Sequence, residues 1–317
     1  MKGLPPVAIT AMVFVVGFAL CTVQFPNFAS TRVAANLLTD NAFLGIVATG
    51  MTFVIISGGI DLSVGSVIGF TTVFVALAIV RFGMPPLLAF AAILLLCAAF
   101  GAAMGAIIHF FDMPPFIVTL AGMFLARGAS FLISTESTPI SAPLYSTVSD
   151  FALRLPGGGR ITTIALIMLA VVAAGAVLLH FTRFGANVYA LGGSRTTTAL
   201  MGIPVGSMTV RIYVLSSVLA GLAGIVFSFY TAAGYSLSAV GVELDSIAAV
   251  VIGGVSLKGG IGRLPGVYAG VLLLSAINTA INLMGVQANF TQVIHGLLVL
   301  AAVLLDTFKQ TLRQRLA

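Results

Sequence analysis

RFGANVYALGGSRTTTALMGIPVGSMTVR, residues 183–211, is the longest polar interruption after the midpoint of the chain, and apolar segments long enough to cross a bilayer flank it on both sides. Arg183, Arg195 and Arg211 fall inside it, which assigns it to the cytoplasmic side if cations stay inside. A membrane chain needs only a short turn to reverse direction, so a connector of this length has room to contact something. Within it, Ser194 is placed to cap a short helix that begins at Arg195 and reads RTTTALMG, with Gly202 and Pro204 to end it. Two readings fit: a solvated connector, and a short surface helix that docks into a cytoplasmic partner.

The rest of the composition agrees with membrane-crossing flanks. Of 317 residues, 60% are hydrophobic and 7% charged, and the mean hydropathy is +1.19. A soluble domain carries about 25% charged residues, so the chain is expected to be an all-α polytopic membrane protein. Its formal charge of +6 forms no patch, which argues against nucleic acid as a partner. Cys21 and Cys97 both lie in apolar runs and read as small hydrophobes rather than a disulfide or metal pair. Lys2 followed by an apolar run resembles a signal peptide. No small-x-small site follows, and Leu20 precedes Cys21 where a lipoprotein site needs a small residue, so the run reads as an uncleaved first span.

Charge-free stretches then mark the passes: near 6–24, between Asp40 and Asp61, Asp61 to Arg81, and Arg81 to Asp112. Pro114-Pro115 opens a fifth, 161–181 is a sixth, and Ile212 to Gly234 a seventh. Thr135–Arg160, with its Pro-Gly-Gly-Gly run, reads as an external loop. Only twelve uncharged residues separate Asp245 from Lys258, so the eighth element is expected to be tilted, broken or re-entrant. Leu264–Leu305 carries no charge and is long enough for a hairpin of two spans around Gly285–Asn289, making about ten elements in one domain. With ten passes and the N-terminus inside, Lys2, Arg183, Arg195, Arg211, Lys258, Arg263, Lys309, Arg313 and Arg315 lie inside. Arg32, Arg81, Arg154 and Arg160 lie outside. This imbalance puts both termini in the cytoplasm.

A catalytic site would need clustered ionisable groups. The acids stand mostly at span ends, His109, His180 and His295 are far apart, and none pairs with Cys or acidic ligands, so neither a metal nor a cofactor site is expected. Lys2, Lys258 and Lys309 follow Met, Leu and Phe, so there is no glycine-lysine P-loop for ATP. The intramembrane polar groups are Arg127, which must be interfacial or paired, and Asn278 with Asn282, at i and i+4 on one helix face. Those two amides, with Thr52, could line a polar path or bind a neighbouring helix. Gly101/Gly105 and Gly266/Gly270 are small-xxx-small pairs suited to close helix packing.

GGIDLSVGS, Gly58 to Ser66, predicts a sharp cytoplasmic turn: Gly58, Gly59 and Gly65 supply freedom, and Asp61 and Ser63 are placed to cap the next helix. Gly58, Gly59, Ile60, Gly65 and Gly69 recur as Gly259, Gly260, Ile261, Gly266 and Gly270 at a constant offset, which points to an internal duplication.

Three strings, IISGGIDLSVGS (55–66), RFGANVYALGGSRTTTALMGI (183–203) and DSIAAVVIGGVSLKGGIGR (245–263), resemble the signatures of ribose/galactose-type sugar ABC importer permeases, in the family's order and across essentially the whole chain. VQFPNFAS (23–30), TDNAFLGI (39–46) and PGGGR (156–160) are most similar to one of the two permeases of the bacterial galactofuranose importer. Lys258, Arg263, Leu264 and Pro265 depart from the small-residue pattern of the family's C-terminal part. The resemblance implies a type II-like permease bundle in the bacterial inner membrane, without enzymatic activity of its own. It also implies a second permease subunit, identical or related, two cytoplasmic ATPase domains in one or more separate subunits, and a periplasmic sugar-binding protein. Carried onto this chain, Gly193, Ser194, Arg195, Thr196, Thr197, Thr198, Ala199, Leu200, Met201, Gly202 and Ile203 would form the coupling helix resting in the ATPase. A branched-chain amino-acid permease of similar architecture and an ion-coupled secondary transporter are the alternatives. Missing mid-span carboxylates weigh against the second.

Overall fold

The computed structural model describes residues 6–25 and 28–285 together with 293, 296, 297, 300 and 304. In chain order the elements are α1 (Pro6–Gln24), α2 (Thr31–Asp40), α3 (Ala42–Ile56), α4 (Val64–Val80), α5 (Pro86–Phe110), α6 (Pro115–Ile133), β1 (Thr138–Pro139), α7 (Pro143–Asp150), β2 (Ala152–Arg154) and β3 (Arg160–Thr162). They continue with α8 (Thr163–Phe181), α9 (Arg183–Gly193), α10 (Arg195–Leu200), α11 (Val205–Thr231), β4 (Ala233–Gly234), α12 (Val242–Ile252) and α13 (Leu264–Leu283). Local chemistry sets many of the ends. Pro86 and Pro115 open α5 and α6, where a missing N–H leaves nothing unpaired. Ser30 and Thr162 cap α2 and α8 by accepting from Val33 N and Ala165 N, each at 3.3 Å.

Five helices among the described residues, α5, α6, α8, α11 and α13, are long and apolar enough to cross a membrane. A sixth candidate is α2 with α3, bent by 54° at Asn41. At the bend, Asn41 Nδ2 donates to Ser275 Oγ at 2.6 Å, tying that residue to α13. The count of about ten spans is therefore met only in part, and most of the tenth element falls outside the described residues. The seventh span starts at Val205, seven residues before the expected Ile212, because Arg211 points outward from the first turns of α11 and does not interrupt them. The predicted external loop is structured. Residues 152–154 and 160–162 form a hairpin pairing Ala152 with Thr162, and β1 pairs with β4, Thr138 opposite Gly234. Tyr145 of α7 bonds Ser228 Oγ at 2.8 Å, and burial pushes its phenol up to about 12.

The core sits around α3 and α11. Every residue of α3 except Phe43 is buried, a helix apolar all round and therefore enclosed by others. By contrast, Leu132 is 90% exposed on α6 and Leu95 72% on α5, side chains of the kind that face lipid.

Two breaks interrupt this core. Residues 57–63 leave α3 and lead into α4, which begins inside the bundle: Ile60 O accepts from Tyr213 Oη at 3.4 Å, and Tyr213 is eight residues along α11 from Val205. The second break, residues 253–263, separates α12 from α13. The eighth element is broken, as expected, with an eleven-residue helix on its first side. Both stretches of the sequence repeat thus have the same local plan of helix, glycine break and helix. Non-helical backbone at such depth is tolerated only where protein encloses it.

Candidate functional site

Ser194 caps α10 as the sequence predicts, its Oγ accepting from Thr197 N at 3.2 Å. Gly202, at φ +76°, closes the helix: its N–H reaches Ala199 O at 3.0 Å, and Ile203 N reaches Thr198 O at 3.3 Å. Thr198 is buried and Ile203 packs against the core, which pins the helix on one side. On the other side Leu200 and Met201 are 85% and 61% exposed. Arg195 reaches back to Thr209 Oγ1 on α11 at 3.4 Å. Six of the eleven predicted coupling residues, Arg195 through Leu200, form the helix itself. Ser194 caps it, and Gly193, Met201, Gly202 and Ile203 flank it.

The base of this projection is where the two breaks meet. Gly260 N donates to Ile56 O at 2.8 Å, joining the end of α3 to the second break. Gly192 of α9 lies directly on that bond: a Cβ there would overlap Ile56 O and come within 2.5 Å of Gly260 N. Gly259, at φ +84°, lies against Gly58 N and Gly192 O, where a Cβ would stand 3.0 Å from each. Three glycine-bearing segments from distant parts of the sequence therefore cross backbone to backbone, which only residues without Cβ permit. Tyr189 Oη donates to Gly262 O at 2.7 Å, a second tie from α9 to the break. Burial raises that phenol above its ordinary value, and nearby Arg263 opposes the shift.

The first break departs from its predicted role. Gly58 does take a positive φ, +82°. However, Asp61 is fully buried rather than at a surface turn, and neither it nor Ser63 makes the expected side-chain cap on α4. Instead Asp61 Oδ1 accepts from Ser63 N (2.9 Å) and Ser63 Oγ (2.6 Å), and Oδ2 accepts from Ser216 Oγ on α11 (2.7 Å). The carboxylate locks the break to the central helix. Gly65 lets the 236–243 segment lie on α4, since a Cβ there would overlap Glu243 Oε2 and sit 2.7 Å from Ala239 O.

Arg127 takes the paired alternative. Its Nη1 donates to Ser236 O at 2.5 Å and Ser238 O at 2.9 Å, and Glu243 lies in its field. Arg127→Gln is expected to lower stability by about 2 kcal/mol by stranding these acceptors. Thermal unfolding of the detergent-solubilised variant measures this, and an unchanged midpoint would remove the clamp.

The proposed path residues are not brought together. Thr52 is buried and spends its hydroxyl on Ala48 O at 2.6 Å. It lies eleven residues along α3 from Asn41, about 16 Å at 1.5 Å per residue. Asn278 is one turn from Ser275, which touches Asn41, and Asn282 is exposed at the end of α13. Sequence reasoning missed Gly192, Tyr213 and Ser216. The Gly192-Gly193 pair and the Ser216-Ser217 pair in an apolar helix were the available signals. Among the described residues no three His, Cys, Asp or Glu side chains gather as metal ligands would.

The family described as "Branched-chain amino acid transport system / permease component" matches residues 33–303. The inner membrane ABC transporter permease protein YjfF of Escherichia coli K12 is 56% identical over 302 residues, 95% of this chain and 91% of its own. The ribose import permease protein RbsC of the same strain is 38% identical, covering 92% and 91%. The fructose import permease protein FruG of Bifidobacterium longum NCC 2705 is 36% identical, covering 95% and 90%. No solved structure matches the chain.

Proposed function

This chain belongs to the permease family of branched-chain amino acid transport systems, and we propose that it is the membrane subunit of an ATP-driven importer carrying a monosaccharide across the bacterial inner membrane. ATP is hydrolysed in a separate subunit. The substrate class rests on the relatives, which are ribose and fructose import permeases, rather than on the family's description in terms of branched-chain amino acids. The strings at 23–30, 39–46 and 156–160 favour galactofuranose among monosaccharides. A second permease subunit, a periplasmic binding protein, ten spans and cytoplasmic termini complete the reading.

The observation that carries it is the capped helix α10, with apolar Leu200 and Met201 turned outward and its base seated on the crossing of both core breaks. In this reading the 183–211 segment is cytoplasmic and α10 sits in the ATPase. Movement of the ATPase shifts α10 and α9 together. Gly192 passes that shift as backbone contact to Ile56 and Gly260, and so to the two broken helix pairs that line the core. Bistable breaks in helices are a recurring means of alternating access. Asn278, Asn282 and Thr52 remain path candidates only at separate depths.

Arg195→Glu, or deletion of Thr196–Leu200, is expected to abolish sugar uptake while leaving membrane insertion intact. The measurement is ATP-dependent uptake of labelled galactofuranose and ribose into proteoliposomes holding the permease, ATPase and binding protein. Normal uptake by either variant removes the coupling helix. Uptake driven by an ion gradient without the ATPase removes the importer. A binding protein that holds leucine rather than sugar reassigns the substrate.

A further inference from the structure

A cleft of about 470 Å³ opens where α8 ends and α13 begins. Leu179, His180 and Thr182 line it from the end of α8, Tyr189 from α9, and Gly262 and Arg263 from the second break. Among the described residues its lining includes an arginine and a histidine but no aspartate or glutamate.

The hydrogen bonds decide what the cleft offers. His180 Nε2 accepts from Leu264 N at 3.3 Å, which leaves the proton of the neutral ring on Nδ1 as a donor. Tyr189 stacks on His180, centroids 6.4 Å apart and planes 30° from parallel, and holds the ring in place. Tyr189 itself donates to Gly262 O, and Thr182 Oγ1 donates to Leu178 O at 2.6 Å, so neither hydroxyl proton is free. The first turn of α13 is also spent: Gly266 N and Val267 N go to Arg263 O, and Pro265 has no N–H. Among the lining side chains, that leaves Arg263, with five donors and a permanent charge, and His180, with its Nδ1–H, as the donors not already spent. A planar fork beside a single N–H suits a tetrahedral oxyanion.

The depth is equally informative. His180 and Phe181 end one span and Leu264 begins another, while Phe181 is 82% exposed. A cleft between two span ends, beside an aromatic side chain turned outward, lies at the level of lipid headgroups. Basic pockets between spans at that level suit anionic headgroups.

We propose that this cleft binds a phosphate group, supplied by the headgroup of an anionic lipid. The bound phosphate bridges His180, at the end of α8, to Arg263, three residues from the Gly260 N–H that holds Ile56. It thereby stiffens the crossing beneath α10. A soluble phosphate has the same chemistry and is the other source.

The test is native mass spectrometry of the full chain in mild detergent, offered phosphatidylglycerol or phosphatidylcholine at equal concentration. Phosphatidylglycerol adducts should exceed phosphatidylcholine adducts by at least about threefold. The paired change Arg263→Gln with His180→Gln should bring them level, Arg263→Lys should keep an intermediate preference, and Arg160→Gln, in the β2–β3 hairpin, should change nothing. Salt at about 0.5 M should erase the preference in the unaltered chain, which needs no variant to fold. Displacement by inorganic phosphate keeps the site and makes its natural source soluble. Equal retention of phosphatidylglycerol by the unaltered chain and the paired variant overturns the proposal. No step needs transport, so failure here would leave the permease reading intact.

Discussion

Gly192→Ala is expected to abolish uptake and lower the unfolding midpoint sharply, whereas Gly193→Ala, one residue on, is expected to leave the midpoint unchanged. The added methyl at 192 would overlap Ile56 O and stand 2.5 Å from Gly260 N. Both neighbours are backbone, so no side chain can swing aside. Relief must come from separating α9 from α3 or from breaking the 2.8 Å bond between Gly260 and Ile56. Overpacking in a well-packed core costs about 1–3 kcal/mol, and the backbone-only contact puts this case at or above about 3. At 193 a Cβ meets nothing within 4 Å, and alanine favours helix over glycine by about 1 kcal/mol in a helix interior and less at its end. Thermal unfolding in detergent and ATP-driven uptake should be read together. Were Gly192→Ala to keep both its midpoint and its uptake, the crossing would not transmit movement. If it kept the midpoint but lost uptake, the crossing would be a pure relay, which is the stronger form of the proposal.

How much of this was legible beforehand depends on the range of the interaction concerned. The α10 helix was readable because its signals are local: Ser194 reaches Thr197, and Gly202 takes a positive φ three residues after Ala199. The proline starts of α5 and α6 and the broken eighth element were readable for the same reason. The depth of GGIDLS was not. Glycine, aspartate and serine look like a surface turn from sequence, and what buries them is Ser216 and Tyr213 of α11, more than 150 residues away. Arg211 shows the opposite limit: a charge reads as the end of a polar loop, yet α11 carries it at an exposed position of its second turn. Asp40 reads as the start of the second pass, whereas the helical path runs from Thr31 through a 54° bend at Asn41, whose side chain donates a hydrogen bond to Ser275. The crossing at Gly192 could not be inferred at all, because no local rule relates residues 56, 192 and 260.

Asp61 separates two roles that the same geometry allows. If it is a structural lock, the order of damage follows from hydrogen-bond accounting. Asp61→Ala strands Ser63 N, Ser63 Oγ and Ser216 Oγ in a site with no exposure, and at about 1–3 kcal/mol per stranded group the loss reaches roughly 3 kcal/mol or more. Ser216→Ala removes one of the three bonds and is expected to cost about 1.5–3 kcal/mol, the range for a bond to a charged group. Asp61→Asn should cost least, about 1 kcal/mol. Its Oδ1 keeps both Ser63 bonds, and Ser216 can rotate its hydroxyl to accept from the new Nδ2–H, since a serine oxygen both donates and accepts. Uptake should follow the same ranking, with the asparagine variant within about threefold of the unaltered chain and the alanine variant inactive. A carboxylate that must carry charge through the transport cycle would behave differently: asparagine would preserve the unfolding midpoint and abolish uptake. That pattern would move Asp61 out of the framework and into the transport step, and it would reopen the ion-coupled alternative.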